Sequence, residues 1–152
     1  MQYLVDTGVW LRLFDRTDAE HANIRTALQR LRSGGHSFAT CTQNIAEFWN
    51  VSTRPKTARG GYGKSVDVTE RRVEFIERFA TVLDDSPAAY QHWRTLLSQY
   101  QIQGTTVHDA RLVALMHIAG IQNIVTLNVG DFARYQGLSI SRPKDIAAVS
   151  QP

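Results

Sequence analysis

The sequence predicts an α/β sandwich with a mostly parallel central sheet. One observation leads to this fold class, and two others show how the chain can be stabilised. Short apolar runs alternate along the chain with longer segments that repeat apolar residues at helical spacing. The chain has 152 residues, which is enough to bury a core without disulfides. Its one cysteine, Cys41, cannot form a disulfide within the chain, and we interpret it as a packed thiol.

The first strand and two helices open the chain. Residues 2–5 form a short apolar run that ends at Asp6, and a helix with one apolar side follows. The segment Thr17-Asp18-Ala19-Glu20 has the spacing of a capping box. It predicts the start of a second helix, which the glycines at 34–35 end.

The middle of the chain contains a strand, two helices and a basic loop. Residues 37–40 predict a second strand, and a helix is predicted from about Gln43 to Ser52. Residues 54–67 then form a basic loop rich in glycine. Thr69 is predicted to cap the helix that follows this loop.

The last part of the chain repeats the alternation of strands and helices. A strand is predicted at residues 81–83, a helix from Ser86-Pro87 onward and a second helix at 107–119. Two further strands are predicted at 123–127 and near 138–140. Because no repeat or linker interrupts this pattern, we predict one domain over residues 1–152.

Composition and charge limit the classes of function. No apolar run has the length of a membrane span and no signal peptide opens the chain, so a cytoplasmic protein with no membrane partner is expected. The formal net charge is +3, and most of the cations are arginines, which suit phosphate contacts. A basic surface that is merely solvated is the alternative interpretation.

Acidic residues stand where the predicted strands end. Asp6 ends the first strand, Asp131 follows the strand at 123–127, and Asp109 lies in the first turn of its helix. Parallel α/β sheets bind ligands beyond the carboxyl ends of their strands. A fourth acid, Glu47, lies in the middle of its helix.

Each acid also has a structural interpretation. Asp6 could cap the helix after it, Asp109 could complete a capping box with Thr106, and Asp131 could cap a short turn. Glu47 could be an exposed helix acid. Three of the acids share a position at strand or helix ends, which favours a functional site over separate structural roles. Carboxylates without histidine or cysteine suit Mg²⁺ or Mn²⁺, and such ions favour hydrolysis of phosphodiesters.

Four segments carry a resemblance to a known family. They are Val5-Asp6-Thr7-Gly8-Val9-Trp10-Leu11, Asn44-Ile45-Ala46-Glu47-Phe48-Trp49-Asn50-Val51, His108-Asp109-Ala110-Arg111-Leu112-Val113-Ala114 and Ile124-Val125-Thr126-Leu127-Asn128-Val129-Gly130-Asp131-Phe132. In order and spacing they resemble the PIN-domain family, and within it the VapC-type toxins of type II toxin–antitoxin systems. The resemblance implies a PIN-like α/β/α sandwich and a Mg²⁺- or Mn²⁺-dependent endoribonuclease, as a homodimer with a cognate antitoxin.

The resemblance also assigns residues to roles. It implies that Asp6, Glu47, Asp109 and Asp131 are catalytic and hold the metal. Thr7, Thr126 and Asn128 are expected to support them. Many relatives have an acid where Asn128 stands, so the fourth acidic role here passes to Asp131.

RNA contacts are predicted mainly in the basic loop. Arg54, Arg59 and Lys64 are predicted to bind RNA, because cations next to an aromatic side chain, here Tyr62, suit single-stranded RNA. Arg12 and Arg111 are predicted RNA-binding residues outside the loop. The alternatives for the loop are a mobile solvated segment or a dimer contact. The alternative function is a catalytically silent PIN-fold module that binds RNA or protein.

Overall fold

A sheet of five parallel strands forms the centre of the protein. The computed structural model describes residues 1–149. The strands are β1 (Gln2–Val5), β2 (Ser37–Cys41), β3 (Thr81–Leu83), β4 (Asn123–Val125) and β5 (Ser139–Ser141). Their order in the sheet is β3-β2-β1-β4-β5, and every neighbouring pair is parallel. The predicted α/β fold is therefore confirmed, with a sheet that is parallel throughout.

Helices connect the strands. In the described chain they are α1 (Thr7–Leu13), α2 (His21–Ser33), α3 (Thr42–Thr53), α4 (Val66–Phe79), α5 (Pro87–Gln99), α6 (Thr106–Ile118), α7 (Val129–Phe132) and α8 (Pro143–Ala148). The predicted start of α5 is confirmed, because Ser86 Oγ accepts a hydrogen bond from the N–H of Ala89 at 3.1 Å and Pro87 begins the helix. No helix in residues 1–149 has the length and apolar character needed to cross a bilayer.

The two faces of the sheet are covered by different helices. Successive side chains of a strand point to opposite faces. Leu4 packs in a cluster with residues of α5 and α6, and Val5 packs in a second cluster with residues of α1, α2, α3 and α4. Cys41 is fully buried, and burial raises the pKa of its thiol to about 11, as suits the packed thiol predicted.

Two predicted helix starts are wrong. The segment Thr17–Glu20 forms no capping box, because Asp18 Oδ1 accepts from the backbone N–H of Glu20 at 2.8 Å and α2 begins only at His21. This local bond competes with the cap. Thr69 does not cap α4; Ser65 does, with its Oγ accepting from Val68 N–H at 3.3 Å.

The basic loop is shorter than predicted, spanning 54–65, and it folds back on the end of α3. Three consecutive N–H groups of the loop donate to carbonyl oxygens there: Tyr62 to Val51 at 3.0 Å, Gly63 to Arg54 at 2.8 Å and Lys64 to Ser52 at 2.8 Å. These bonds satisfy carbonyls that a helix end leaves unpaired. A Cβ at Gly61 would lie 2.2 Å from the carbonyl oxygen of Pro55, so this close approach requires glycine.

The end of the chain differs from its prediction in two ways. The strand predicted at 123–127 ends at Val125, because Thr126 and Leu127 already belong to the connection toward α7. The helix α8 was not predicted. It begins at Pro143 and packs against α2.

Candidate active site

The carboxyl ends of the strands define one edge of the sheet, the carboxyl edge, where Asp6 lies. Asp6 follows β1 and Thr126 follows the adjacent β4. Thr126 donates its hydroxyl to Asp6 Oδ2 at 2.7 Å, and the N–H of Thr7 donates to Asp6 Oδ1 at 2.8 Å. Chain connections leave the sheet in opposite directions at this point, which is where parallel α/β sheets form crevices.

Glu47 is held beside Asp6 by α3. The buried Asn44 donates its amide to the carbonyl oxygen of Val5 at 3.0 Å, which fixes the start of α3 against the end of β1. One turn later, Glu47 Oε2 accepts the hydroxyl hydrogen of Thr7 at 2.9 Å. Thr7 therefore joins the two acids through its backbone and its side chain. Glu47 is partly buried, so its interpretation as an exposed helix acid is wrong.

Gln43 is a site residue that the sequence prediction missed. Its Nε2 donates to Glu47 Oε1 at 3.1 Å and to the carbonyl oxygen of His108 at 3.1 Å. It thereby ties Glu47 to the start of α6. The spacing of four residues between Gln43 and Glu47 was a usable signal, because such pairs are neighbours on a helix.

Asp109 lies in the first turn of α6 and is partly buried. Within residues 1–149 its carboxylate has no hydrogen-bond partner, and Thr106 donates instead to the carbonyl oxygen of Gln103 at 2.7 Å. The capping-box interpretation of Asp109 is therefore wrong. Burial raises the pKa of Asp109 to about 6, helped by the charges of Asp131, Asp6 and Glu47.

Asp131 lies at the outer side of this group. It is exposed, and it is the third residue of the short helix α7. Thr126 Oγ1 accepts the N–H of Asn128 at 3.0 Å, and the carbonyl oxygen of Asn128 accepts the N–H of Asp131 at 3.1 Å. The same threonine that contacts Asp6 therefore sets the path of the chain toward Asp131.

The four predicted acids, which we call the acid cluster, influence one another as charges. Burial raises the pKa of Asp6 above its ordinary value, and the charges of Glu47 and Asp131 raise it further. Hydrogen bonds from Thr126 and Thr7 oppose this shift. Asp6 also caps α1, as its structural interpretation held. The fold thus brings together acids that are far apart in sequence.

The donor atoms of the acid cluster fit a hard divalent cation. They are all carboxylate oxygens, the ligands that Mg²⁺ and Mn²⁺ prefer. Among the described residues, no three His, Cys, Asp or Glu side chains stand ready to hold one ion. Mg²⁺ keeps several waters and commonly uses one or two carboxylates with substrate phosphates, so it does not need such a cage.

Most of the cations predicted to bind RNA have partners in the protein. Arg12 pairs with Asp18 at 3.3 Å and donates to the carbonyl oxygen of Gly8 at 3.1 Å. Arg111 pairs with Asp85 at 2.5 Å. In the basic loop, Arg54 donates to the carbonyl oxygen of the exposed Arg59 at 2.8 Å, while Lys64 is partly buried.

Known structures share this fold. The chain resembles VapBC2 from Rickettsia felis bound to a promoter DNA fragment, with a TM-score of 0.66, 17% identity, and coverage of 93% of this chain and 98% of that one. It resembles a toxin–antitoxin complex from Klebsiella pneumoniae with a TM-score of 0.63 and 18% identity, covering 93% and 97%.

It also resembles VapC20 from Mycobacterium tuberculosis, a toxin that cleaves the sarcin–ricin loop. The TM-score is 0.56 and the identity 22%, covering 80% of this chain and 86% of that one. At these identities the likeness is one of fold. No curated protein sequence matches the chain. A model of the PIN domain, however, matches residues 3–138. The chain therefore belongs to the PIN-domain family.

Proposed function

We propose that this protein is a metal-dependent endoribonuclease, the toxin of a toxin–antitoxin pair, formed as a single domain over 1–152. The acid cluster carries this proposal, because four carboxylates from separate elements meet at the carboxyl edge, where burial and the charges of the neighbouring acids raise the pKa values of Asp6 and Asp109. Several carboxylates gathered at one place suit a divalent cation. The PIN-domain match supports a nuclease of this kind.

The acids of the cluster and the threonines beside them have different proposed roles. Asp6, Glu47, Asp109 and Asp131 would hold Mg²⁺ or Mn²⁺, which would neutralise charge on a phosphate and lower the pKa of a bound water. Thr7 and Thr126 orient Asp6 through fixed hydrogen bonds.

The carboxylate of Glu47 receives bonds from Thr7 and Gln43, so its direction is set before substrate binds. Asn128 supports the approach of the chain to Asp131 through its backbone.

The test of the nuclease compares an acid-cluster variant with a matched control. Asp6→Asn keeps the size of the side chain and its ability to cap α1 but removes the charge. Cleavage of RNA by the parent should need Mg²⁺ or Mn²⁺ and stop with EDTA. Asp6→Asn should lose at least about 100-fold in rate, while Asp67→Asn, an exposed acid in the first turn of α4, should cleave like the parent.

Full cleavage in EDTA after metal removal contradicts the metal mechanism. Parent-like cleavage by Asp6→Asn contradicts the assignment of the acid cluster. RNA binding without any cleavage in the parent would favour the catalytically silent module instead.

The proposed partners are RNA, a cognate antitoxin and a second copy of the chain, and the proposed compartment is the cytoplasm. The toxin–antitoxin complexes that share the fold support the antitoxin. A small DNA-binding protein encoded by a neighbouring reading frame should co-purify with this chain and stop its RNase activity. Sedimentation of the purified chain would measure the dimer.

A further inference from the structure

A cavity lies beside the acid cluster, between the starts of α5 and α6. It has a volume of about 400 Å³, which is within the range of small-ligand sites. Its lining is mostly apolar, with charged side chains at the rim. The predicted roles of the acid cluster do not use this cavity.

Two aromatic side chains form one wall of the cavity. Trp93 is held in place because its indole N–H donates to the carbonyl oxygen of Val107 at 3.1 Å. The ring of Tyr90 lies 6.0 Å from that of Trp93 and is 50% exposed. Arg94 donates to the Tyr90 hydroxyl at 3.2 Å. Exposed, fixed aromatic rings are surfaces on which unpaired bases stack.

Asp85 supplies hydrogen-bond acceptors at the rim. Its Oδ2 accepts from Arg111 at 2.5 Å and from the Thr42 hydroxyl at 3.4 Å. Within residues 1–149, Oδ1 accepts no hydrogen bond. An ionised carboxylate accepts at about four lone-pair sites, so Oδ1 keeps room for two donors. The side chain of Asp85 is 49% exposed and open to a ligand.

The start of α6 links the cavity to the acid cluster. His108 lines the cavity and directly precedes Asp109. Its carbonyl oxygen accepts from Gln43, which also holds Glu47. A nucleotide whose base enters the cavity would therefore have its sugar and phosphate close to the acids.

We propose that this cavity binds an unpaired guanine base of the RNA substrate, next to the phosphodiester that the acid cluster would cleave. The inference rests on the proposed nuclease function. Guanine presents two adjacent N–H donors on its Watson–Crick edge, N1–H and the N2 amine, which match the free oxygen of Asp85. Its purine ring also offers a larger stacking surface to Tyr90 and Trp93 than a pyrimidine does.

The test uses nucleotides and the metal-free protein, so that no cleavage takes place. The Trp93 indole N–H signal in a ¹H–¹⁵N NMR spectrum reports on the cavity, and Trp93→Phe assigns it. 5′-GMP should shift this signal and bind about tenfold more tightly than 5′-UMP. 5′-IMP, which lacks the N2 amine, should bind more weakly than 5′-GMP.

Variants test the two parts of the cavity separately. Asp85→Asn should remove most of the preference for 5′-GMP, whereas its exposed neighbour Asp84→Asn, outside the cavity, should keep it. Tyr90→Leu should weaken both nucleotides. Backbone spectra of each variant establish that it is folded.

Three results would overturn the proposal. The first is a Trp93 signal that does not move at millimolar 5′-GMP. The second is an Asp85→Asn variant that still prefers 5′-GMP to 5′-UMP as strongly as the parent does. The third is a Trp93 signal that shifts with protein concentration in the absence of nucleotide, which would place a second copy of the chain over the cavity. RNA cleavage with no guanine dependence overturns the guanine site but not the nuclease. If the chain binds 5′-GMP but cleaves no RNA, the guanine site is supported and the proposed nuclease function is contradicted.

Discussion

Replacing Asp109 with asparagine should stabilise the metal-free protein. Burial and three neighbouring acids raise the pKa of Asp109 from 3.8 to about 6, so its charge at neutral pH opposes folding. At 1.36 kcal/mol per pKa unit the whole shift corresponds to about 3 kcal/mol. Because the side chain is only partly buried, solvent screening reduces the expected gain for Asp109→Asn to about 1 kcal/mol.

The gain should depend on pH in a defined direction. The folded pKa of Asp109 lies above its unfolded value, so protonation favours the folded state. In the parent, the charge of Asp109 therefore costs no folding stability below about pH 3.8 and its full amount above about pH 6. The difference in stability between Asp109→Asn and the parent should be largest at pH 7–8 and shrink as the pH falls.

Thermal unfolding in EDTA measures this difference, which amounts to about 2–4 °C in Tm. Asp67→Asn is the matched control, since Asp67 also lies in the first turn of a helix but is exposed. It should lose a few tenths of a kcal/mol, because an acid at a helix start is favourable. An Asp109→Asn protein no more stable than the parent at pH 8 would refute the reasoning.

Three further predictions concern Gln43, Gly61 and the pair formed by His92 and His117. Gln43→Met should lower the RNA cleavage rate about 10-fold with little change in melting temperature, since it removes the bond that orients Glu47; an unchanged rate contradicts this role. Gly61→Ala should destabilise the basic loop by more than about 1 kcal/mol in urea unfolding, and a neutral result would mean that the loop can move aside. His92 Nε2 and His117 Nδ1 lie 2.8 Å apart, and burial followed by the His92 charge lowers the pKa of His117. Stability relative to His117→Asn should therefore fall as the pH drops below about 6.5; a flat difference between pH 8 and 5 contradicts it.

The strands and the acid positions could be predicted because both follow from local sequence. A short apolar run that ends in an acid, as at Asp6, indicates a strand end, and parallel strands bring their ends to one edge. Three of the four members of the acid cluster were located by this reasoning. Glu47 was assigned to the site through the resemblance to a family, since a mid-helix position is equally typical of a surface acid.

Contacts that depend on tertiary packing could not be predicted. The bond from Gln43 to the carbonyl oxygen of His108 joins residues 65 positions apart, and its partner is a backbone atom with no sequence signature. The pairing of Arg111 with Asp85 likewise depends on how α6 meets the end of β3. The failed cap at Thr17 has a local cause, because nearby aspartates offered competing acceptors.

Charge compensation distinguishes the acid cluster from two other acids of this protein. Asp18 and Asp85 each pair with an arginine, so their charges are neutralised within the protein. Within residues 1–149 no lysine or arginine lies within ion-pair distance of any member of the acid cluster. Partly buried carboxylates without a cationic partner reduce stability. A fold that keeps them together, while nearby arginines bind other acids, leaves their charge available to a cation from solution. This is why the structural role of Asp6 as a helix cap and its proposed role as a ligand are compatible: the cap orients the carboxylate without neutralising it.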